Sequence, residues 1–353
     1  MDKLGCIYLV GTGPGETNLI TVKGLALVRE VDAIVGDTLT HARLLQAARP
    51  EAEIYDVGSR RRGAKMTQAE VNRLLLDLAR QGKTVVRLWP GDPFVFGRAA
   101  LEMKAARQAG LRCELVPGVT SAIAAPAYAG VPVTDWAYGS SFAVVSGFEF
   151  EEQPVKANWA ALAGIETLVI LMPLERLPEI VDRLLAAGRP ADTPALVVEN
   201  GALPQQKQLL TTLGKLAPAI EQQKIESNSV VVIGQVVELA AELAWFNPGP
   251  DYPLSGKRVL VTRPVHQAAD FIAALRALGA EPISFPTIEI RPLVDTRPLD
   301  EAIQRLARPA DYPNQPTSHL TGQPASPYNW LVLTSANGVA AFWERLEQLG
   351  LDS

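Results

Sequence analysis

Three turns rich in glycine and proline contain the residue types that could bind a ligand. Residues 10–15 read VGTGPG, residues 89–98 read WPGDPFVFGR and residues 117–121 read PGVTS. Glycine lets a backbone approach a ligand closely, and N–H groups at the start of a helix can face its polar atoms. Taken alone, the first turn is equally typical of an ordinary tight connection between a strand and a helix.

The first turn does not fit a dinucleotide site. Glu16 occupies the position at which the dinucleotide-binding fingerprint has its last glycine. Pro14 has no backbone N–H, which a bound phosphate would need as a donor. A ligand without phosphate groups therefore agrees better with this turn.

Two further sets of polar residues follow predicted strands. Asp37 comes shortly after a strand predicted at residues 33–35, and we expect it to face the same ligand as the three turns. A turn or N-cap aspartate is the alternative interpretation. Residues 58–65 read GSRRRGAK and form a loop with four cations, Arg60, Arg61, Arg62 and Lys65. The alternative for this loop is a solvated basic surface with no ligand.

The elements that must position these residues follow an α/β pattern. Apolar runs alternate with helix-period segments that end in glycine, which predicts largely parallel strands. Ligands collect at the carboxyl ends of such strands, so the three turns predict one binding crevice. We expect strands at 6–10, 33–35, 84–88 and 112–116, and helices at 19–31, 68–81, 98–109 and 121–129. Strands at 142–146, 167–172, 195–198 and 229–233 predict a second sheet, and hence two lobes at about 1–117 and 118–246.

A second part of the chain begins after a stretch rich in proline. Residues 247–256 predict an extended linker because proline disfavours helix and central strand. Beyond it we expect strands at 257–262, 282–285 and 330–333, and helices at 266–278, 299–306 and 338–349. Residues 309–327 carry five prolines among polar residues and predict a mobile insertion.

Composition excludes several classes of protein. The 353 residues carry a net charge of −5 with no block of five like charges, so neither a nucleic-acid face nor a basic membrane face is indicated. No apolar stretch reaches the length of a membrane span, and no signal peptide is recognisable, which favours the cytoplasm. Cys6 and Cys113 lie in apolar runs without a Cys/His cluster, so we expect buried structural thiols and no metal site.

The three turns together resemble a known family. The segments VGTGPG, GDPFVFGR and PGVTSAIAAPAYAGVPVT are similar to those of the tetrapyrrole methyltransferases, over residues 4–246. This resemblance implies a two-lobed α/β fold that binds S-adenosylmethionine in the cleft between its lobes. It further implies methylation of ring carbons of uroporphyrinogen III to give precorrin-2, which leads to sirohaem and cobalamin.

The resemblance also assigns residues to the site. Asp37 matches the aspartate that the family is thought to use as a general base. Met172 could instead be plain core, and Gly201 an ordinary turn residue. The matched cofactor contacts are Pro14, Pro90, Gly91, Asp92, Val95, Thr120, Ser121, Met172 and Gly201.

This sequence departs from the family pattern on the substrate side. Gly36 replaces the usual tyrosine, Ser59 replaces a lysine proposed as proton donor, and Trp89-Pro90 replace Lys-Gly. A serine cannot replace an ammonium group. The four cations of the 58–65 loop nevertheless suit a substrate expected to carry eight carboxylates, through charge-assisted hydrogen bonds.

The second part resembles uroporphyrinogen-III synthase. Residues 256–264 read GKRVLVTRP and residues 333–339 read LTSANGV. In that family two similar lobes close over the site, so Arg263 and the turn at 334–337 would bind substrate carboxylates. For Arg263 a surface ion pair is at least as good an interpretation. The chain after residue 246 is long enough for a linker and about one lobe, so we expect a partial synthase-like domain at 257–353 without synthase activity.

The leading hypothesis is an S-adenosylmethionine-dependent methyltransferase that acts on uroporphyrinogen III as a homodimer in the cytoplasm, without metal. One alternative is a methylase of a later precorrin intermediate, because the family's lysine and tyrosine are missing. The other is a non-catalytic protein that binds the tetrapyrrole or S-adenosylmethionine.

Overall fold

The computed structural model describes residues 4–37, 42–58, 66–147, 157–225, 228–246, 252–254, 256–291, 293–307 and 330–351. Contacts between Cα atoms divide the chain into two compact units. One unit comprises residues 1–261 with 265–285, and the other comprises residues 262–264 with 286–353.

The first lobe is built on a five-stranded parallel sheet. Its strands are β1 (Cys6–Gly11), β2 (Ala33–Gly36), β3 (Glu53–Asp56), β4 (Val85–Trp89) and β5 (Arg112–Val116). Their order across the sheet is β3-β2-β4-β1-β5, and every described pairing is parallel. The central strands are continuous apolar runs because helices cover both faces of the sheet.

Helices connect these strands, and local sequence signals set where they begin. They are α1 (Val22–Glu30), α2 (Ala42–Leu45), α3 (Gln68–Arg80) and α4 (Ala99–Gln108). Thr21 caps α1, and Thr67 with Glu70 forms a capping box at α3. The left-handed glycine conformations expected after α3 and α4 are present at Gly82 and Gly110.

The second lobe has a mixed sheet of five strands. These are β6 (Phe142–Ser146), β7 (Thr167–Leu171), β8 (Pro194–Glu199), β9 (Lys207–Thr212) and β10 (Ser229–Ile233), in the order β6-β7-β10-β8-β9. Its helices are α5 (Ser121–Tyr128), α6 (Trp159–Ala163), α7 (Leu177–Ala186), α8 (Leu216–Gln223) and α9 (Ala240–Leu243). Helix α5 packs on one face of the sheet, and α6, α7 and α8 lie on the other.

The described residues after 256 form two short strands and three helices. Strands β11 (Arg258–Val261) and β12 (Glu281–Ser284) pair in parallel around α10 (Val265–Ala277). The second unit contains α11 (Arg297–Ala307) and α12 (Ala336–Gln348). Arg345 of α12 holds Asp300 of α11 through two hydrogen bonds of 2.5 and 2.7 Å.

Most predicted elements are confirmed within a few residues, and four predictions need correction. The first helix begins at Val22 rather than at residue 19. The strand predicted at 330–333 is wrong: Trp330 and Val332 are exposed and the segment joins no described sheet. Strands β3 and β9 and helices α2, α6, α7, α8 and α9 were not predicted. The cysteines are free but half-buried rather than buried, and burial raises the pKa of the Cys113 thiol to about 11.

Two predictions for the chain after residue 246 lie wholly or mostly outside the described residues. The segment 309–327 falls there entirely, as does the greater part of the predicted linker at 247–256. Within the described residues, no helix is long and apolar enough to cross a membrane.

Candidate functional site

The three glycine turns lie at the ends of neighbouring strands. Strands β4, β1 and β5 are adjacent, so the turns that follow them meet at the carboxyl edge of the sheet. Asp37 follows β2, which pairs with β4 on its other side. The sheet therefore brings these four connections to one edge, as the sequence predicts.

The turns touch each other through their backbones. Gly13 and Gly91 exchange two hydrogen bonds, with N···O distances of 3.2 and 2.8 Å. A Cβ atom placed on Gly118 would lie 2.2 Å from the carbonyl oxygen of Gly91 and 2.7 Å from the Cα atom of Gly11. Glycine is required here because the three backbone segments approach each other more closely than any side chain allows.

Asp92 fixes the second turn and joins it to the third. Its Oδ1 atom accepts from the N–H of Phe94 at 2.8 Å, and its Oδ2 atom accepts from the N–H of Gly118 at 3.0 Å. Pro14 is half-buried in the first turn, whereas Pro90 is exposed. Asp92 thus holds two turns in register, in addition to any contact with a ligand.

The turns also connect the two lobes. Val95 packs against the hydrophobic core of the second lobe. A Cβ atom on Gly15 would lie 3.2 Å from the side chain of Leu203, which follows β8. Since residues of both lobes meet here, a ligand at this edge would touch both.

Helix α5 begins at the same edge. Thr120 caps the helix by accepting from the N–H of Ala122 at 3.3 Å. Ser121 is its first residue, and its Oγ atom lies 3.6 Å from the position of a Cβ atom on Gly91. Two hydroxyl groups therefore lie at the junction of the turns.

The second lobe contributes strained backbone to this region. Met172 follows β7 with a φ angle of 52°, and the residue is 44% exposed, so it is not part of the core. Asn200 and Ala202 flank Gly201 after β8 with φ angles of 52° and 65°. Left-handed conformations of residues with a Cβ atom cost free energy and concentrate at functional sites.

The charges of the turns agree with a cationic ligand. Within residues 10–16, 89–98 and 117–121 the charged side chains are Glu16, Asp92 and Arg98, which gives a net charge of −1. The two carboxylates would repel a phosphate and attract a sulfonium or an ammonium group. Hydroxyl groups, close backbone and the apolar side chain of Val95 therefore fit S-adenosylmethionine better than a nucleotide.

Asp37 lies against the turn that follows β3. Its Cγ and Oδ2 atoms lie 2.3 Å from the position of a Cβ atom on Gly58, so only glycine fits beneath the carboxyl group. Gly58 donates its N–H to Oδ1 of Asp56 at 3.1 Å. This packing fixes the position of the Asp37 carboxyl group at the carboxyl ends of the strands.

The predicted substrate contacts lie outside the described residues. These are Arg60, Arg61, Arg62 and Lys65, together with Ser59. The described chain resumes at Met66, directly before α3, and ends at Gly58, directly below Asp37. Gly58, the described residue that precedes this segment in the sequence, packs against the candidate general base.

A buried network behind the site was not foreseen. Arg87 of β4 donates to Oε1 of Glu102 at 3.1 Å, and the indole N–H of Trp89 donates to Oε2 of Glu102 at 2.9 Å. The guanidinium carbon of Arg87 lies 4.4 Å from the centre of the Trp89 ring, and Gln68 also donates to Glu102. The Trp89 side chain is therefore held within the lobe. The backbone carbonyl of Trp89 accepts two hydrogen bonds from Thr12, one from its N–H and one from its hydroxyl group.

Glu102→Ala is expected to lower the free energy of unfolding by about 3–5 kcal/mol, because it leaves the buried Arg87 without its counter-charge. Chemical denaturation measures this change. The matched control is Asp77→Asn, which removes an exposed pair with Arg80 and should change stability little. Equal losses in the two variants would show that burial of the Glu102 pair is unimportant.

The site residues assigned by resemblance stay predictions, although the fold gathers the described ones. Asp37 and the turns with Pro14, Pro90 and Thr120 share one edge. Met172 and Gly201 lie at the ends of β7 and β8, which run in the same direction. Among the described residues, no cluster of His, Cys, Asp and Glu could hold a metal ion.

Two family models match the chain. The model described as tetrapyrrole (corrin/porphyrin) methylases matches residues 6–217, and the model described as uroporphyrinogen-III synthase HemD matches residues 269–353. The first match covers more than half of the chain and includes every described residue of the candidate site.

Individual proteins agree with these matches. The chain is 43% identical over 242 residues to a uroporphyrinogen-III C-methyltransferase of Synechocystis sp., covering 68% of this chain and 92% of that protein. It is 34% identical over 350 residues to the porphyrin biosynthesis protein HemD of Ruminiclostridium josui, covering 99% of this chain. The chain spans 65% of the length of that HemD protein.

A solved structure shares the fold. The uroporphyrin-III C-methyl transferase from Thermus thermophilus, complexed with S-adenyl homocysteine, is 34% identical to this chain with a TM-score of 0.57. The match covers 67% of this chain and 100% of that chain. The likeness therefore concerns the two-lobed part, and the rest of the chain lies outside it.

Proposed function

The chain belongs to the tetrapyrrole (corrin/porphyrin) methylase family, and on this premise we propose that it transfers methyl groups from S-adenosylmethionine to uroporphyrinogen III. The product is precorrin-2, an intermediate on the way to sirohaem and cobalamin. The observation that carries the proposal is the meeting of three glycine turns with each other and with the connection that follows β8 in the second lobe.

The cofactor contacts that we propose are those that the resemblance assigns. Pro14, Gly91 and the side chains of Val95, Thr120 and Ser121 bind from the first lobe and the start of α5. The remaining contacts are Pro90, Asp92, Met172 and Gly201. Bound S-adenosylmethionine supplies an activated methyl group, so the protein must above all align donor and acceptor, which rigid turns do well.

Asp37 acts on the substrate. Alkylation of a ring carbon requires loss of a proton, and a carboxylate held over the strand ends is a suitable general base. Gly58 leaves the space that the Asp37 carboxyl group occupies. Ser59 follows directly and cannot supply the ammonium proton donor proposed for relatives, so this chain performs its proton transfers without that lysine.

Changing Arg60, Arg61 and Arg62 together to alanine is expected to raise the KM for uroporphyrinogen III and leave the KM for S-adenosylmethionine unchanged. The reason is the loss of charge-assisted bonds to substrate carboxylates. The remaining affinity should depend less on salt than that of the wild type, because fewer charges are left to screen. Steady-state kinetics at two salt concentrations measure both effects, and an unchanged KM would mean that the loop is only a solvated surface.

Turnover of uroporphyrinogen III with S-adenosylmethionine tests the proposed function. We expect a dimethylated product identified by mass. Methylation of precorrin substrates but not of uroporphyrinogen III would instead indicate a methylase of a later intermediate. Binding of S-adenosylhomocysteine in calorimetry, together with no methyl transfer to any of these substrates, would indicate a non-catalytic binding protein.

We further propose that residues 1–246 form the methyltransferase domain, residues 247–256 a linker and residues 257–353 a partial synthase-like domain. The family matches at 6–217 and 269–353 support this division. The proposal that the second part has no synthase activity is tested by incubating the chain with the linear tetrapyrrole and searching for cyclised product. A homodimer formed through residues 1–246, located in the cytoplasm, completes the proposal, and sedimentation measures the oligomeric state.

A further inference from the structure

Gln206 is a buried polar residue in the connection between β8 and β9. The residue is only 8% exposed, and both ends of its side-chain amide form hydrogen bonds. The Oε1 atom accepts from the N–H of Ala202 at 2.9 Å, and the Nε2 atom donates to the carbonyl of Tyr128 at 3.1 Å. One side chain therefore joins two separate segments of the second lobe.

The first of these segments is the strained turn around Gly201. Asn200 and Ala202 both have positive φ angles, and Ala202 is 2% exposed. Such a conformation persists only where surrounding contacts hold it in place. Asn228 accepts from the N–H of Asn200 at 2.9 Å, and Gln206 holds the other side of the turn through the N–H of Ala202.

The second segment is the end of helix α5. Tyr128 is its last residue, and its carbonyl is one of the four that a helix leaves without an internal partner. Gln206 satisfies this carbonyl. Along the same helix, a Cβ atom on Gly201 would lie 2.5 Å from the Cβ atom of Ala125, so the turn packs directly on α5.

We infer that Gln206 is a positioning residue for the cofactor site. It ties the turn with Gly201 to the helix that begins with Thr120 and Ser121, and thereby fixes the distance between the cofactor contacts of the two segments. The inference rests on the proposed function. It reaches beyond it by assigning cofactor affinity to a residue that lies behind the contacts and touches no ligand.

Two variants test the inference in the full chain. Gln206→Leu removes both hydrogen bonds, and Gln206→Glu keeps the acceptor for Ala202 but sets a carboxylate against the Tyr128 carbonyl. Gln206→Glu should raise the Kd for S-adenosylhomocysteine and the KM for S-adenosylmethionine about tenfold, the scale of one buried hydrogen bond, and Gln206→Leu should raise them at least as much. We expect kcat at saturating cofactor to change little, because Gln206 takes no part in the chemistry.

Protonation of the carboxyl group in the Gln206→Glu variant should restore the hydrogen bond to the Tyr128 carbonyl. At low pH the carboxyl group of the Gln206→Glu variant carries a proton that it can donate to the Tyr128 carbonyl. Its affinity for S-adenosylhomocysteine, relative to that of the wild type, should therefore improve as pH falls. Gln206→Leu should show no such improvement. If Gln206→Leu fails to fold, this pH series on the milder variant still decides the question.

Arg189 provides the control for a purely structural effect. It is buried and donates to the carbonyls of Ile165, Glu166 and Ile233, at the opposite end of the second sheet. Arg189→Lys should lower the thermal midpoint without changing the cofactor KM. Unchanged Kd and KM in both Gln206 variants would overturn the inference alone. A wild-type chain that neither binds S-adenosylhomocysteine nor transfers methyl groups would overturn the proposed function as well.

Discussion

Replacing Asp37 with asparagine is expected to lower kcat for methyl transfer by about 10²–10⁴-fold, the usual contribution of a positioned general base. Asparagine has nearly the same shape as aspartate, so the packing against Gly58 should be retained. The Kd for S-adenosylhomocysteine should stay close to that of the wild type, because the assigned cofactor contacts lie in other turns. Single-turnover kinetics and calorimetry measure the two quantities separately.

A neighbouring carboxylate provides the matched control for Asp37. Asp56 accepts from the N–H of Gly58 at 3.1 Å, and its replacement by asparagine preserves an acceptor for that bond. Asp56→Asn should therefore leave kcat unchanged. Equal losses of kcat in the two variants would mean that the loop after β3 responds to any change of charge, and a normal rate in Asp37→Asn would remove Asp37 from the mechanism.

The elements around the site follow from local sequence. Strands β1 and β4 are largely apolar, and helices α3, α4 and α5 end at glycines that do adopt left-handed conformations, at Gly82, Gly110 and Gly130. These signals are local because burial and chain reversal depend on residue type at single positions. The parallel sheet then places the three turns together without any further information.

Edge strands, and apolar segments that pair with no described strand, show where local sequence patterns are insufficient to predict secondary structure. Strand β3 reads EIYD, and three of its four residues are exposed, so it has no apolar run to reveal it. Strand β9 is likewise an edge with exposed lysine and glutamine. The converse error arises at 330–333, where an apolar run has no described sheet to join. The strands that pair with each other are distant in sequence, and the hydrophobic periodicity of one segment does not identify its partner.

The site could be predicted as a set of turns but not as a set of contacts. The motif indicates that Asp92 belongs to the cofactor turn, yet only the fold reveals that its oxygens hold Phe94 and Gly118. Arg87 did carry a signal, since a charge inside a buried strand requires a partner. Gln206 carried none, because its two partners lie four and 78 positions away in sequence.

Gly118→Ala is expected to have the largest effect on cofactor binding. The added methyl group would lie 2.2 Å from the carbonyl oxygen of Gly91 and 2.7 Å from the Cα atom of Gly11, so at least one turn must move. Overpacking of this kind costs about 1–3 kcal/mol of stability. Because a displacement of about 1 Å can reduce a rate 10²-fold, we expect weaker binding of S-adenosylhomocysteine and a kcat/KM reduced by about two orders of magnitude.

Gly5→Ala separates displacement of the turns from general overpacking. Gly5 directly precedes β1, at the opposite end of the strand that leads into the first turn. A Cβ atom there would lie 1.9 Å from the carbonyl oxygen of Lys83, so the collision with backbone is of the same kind. Both variants should lose stability in denaturant titrations, but only Gly118→Ala should change the Kd of the folded protein. Equal losses of affinity would place the cofactor elsewhere than at the junction of Gly11, Gly91 and Gly118.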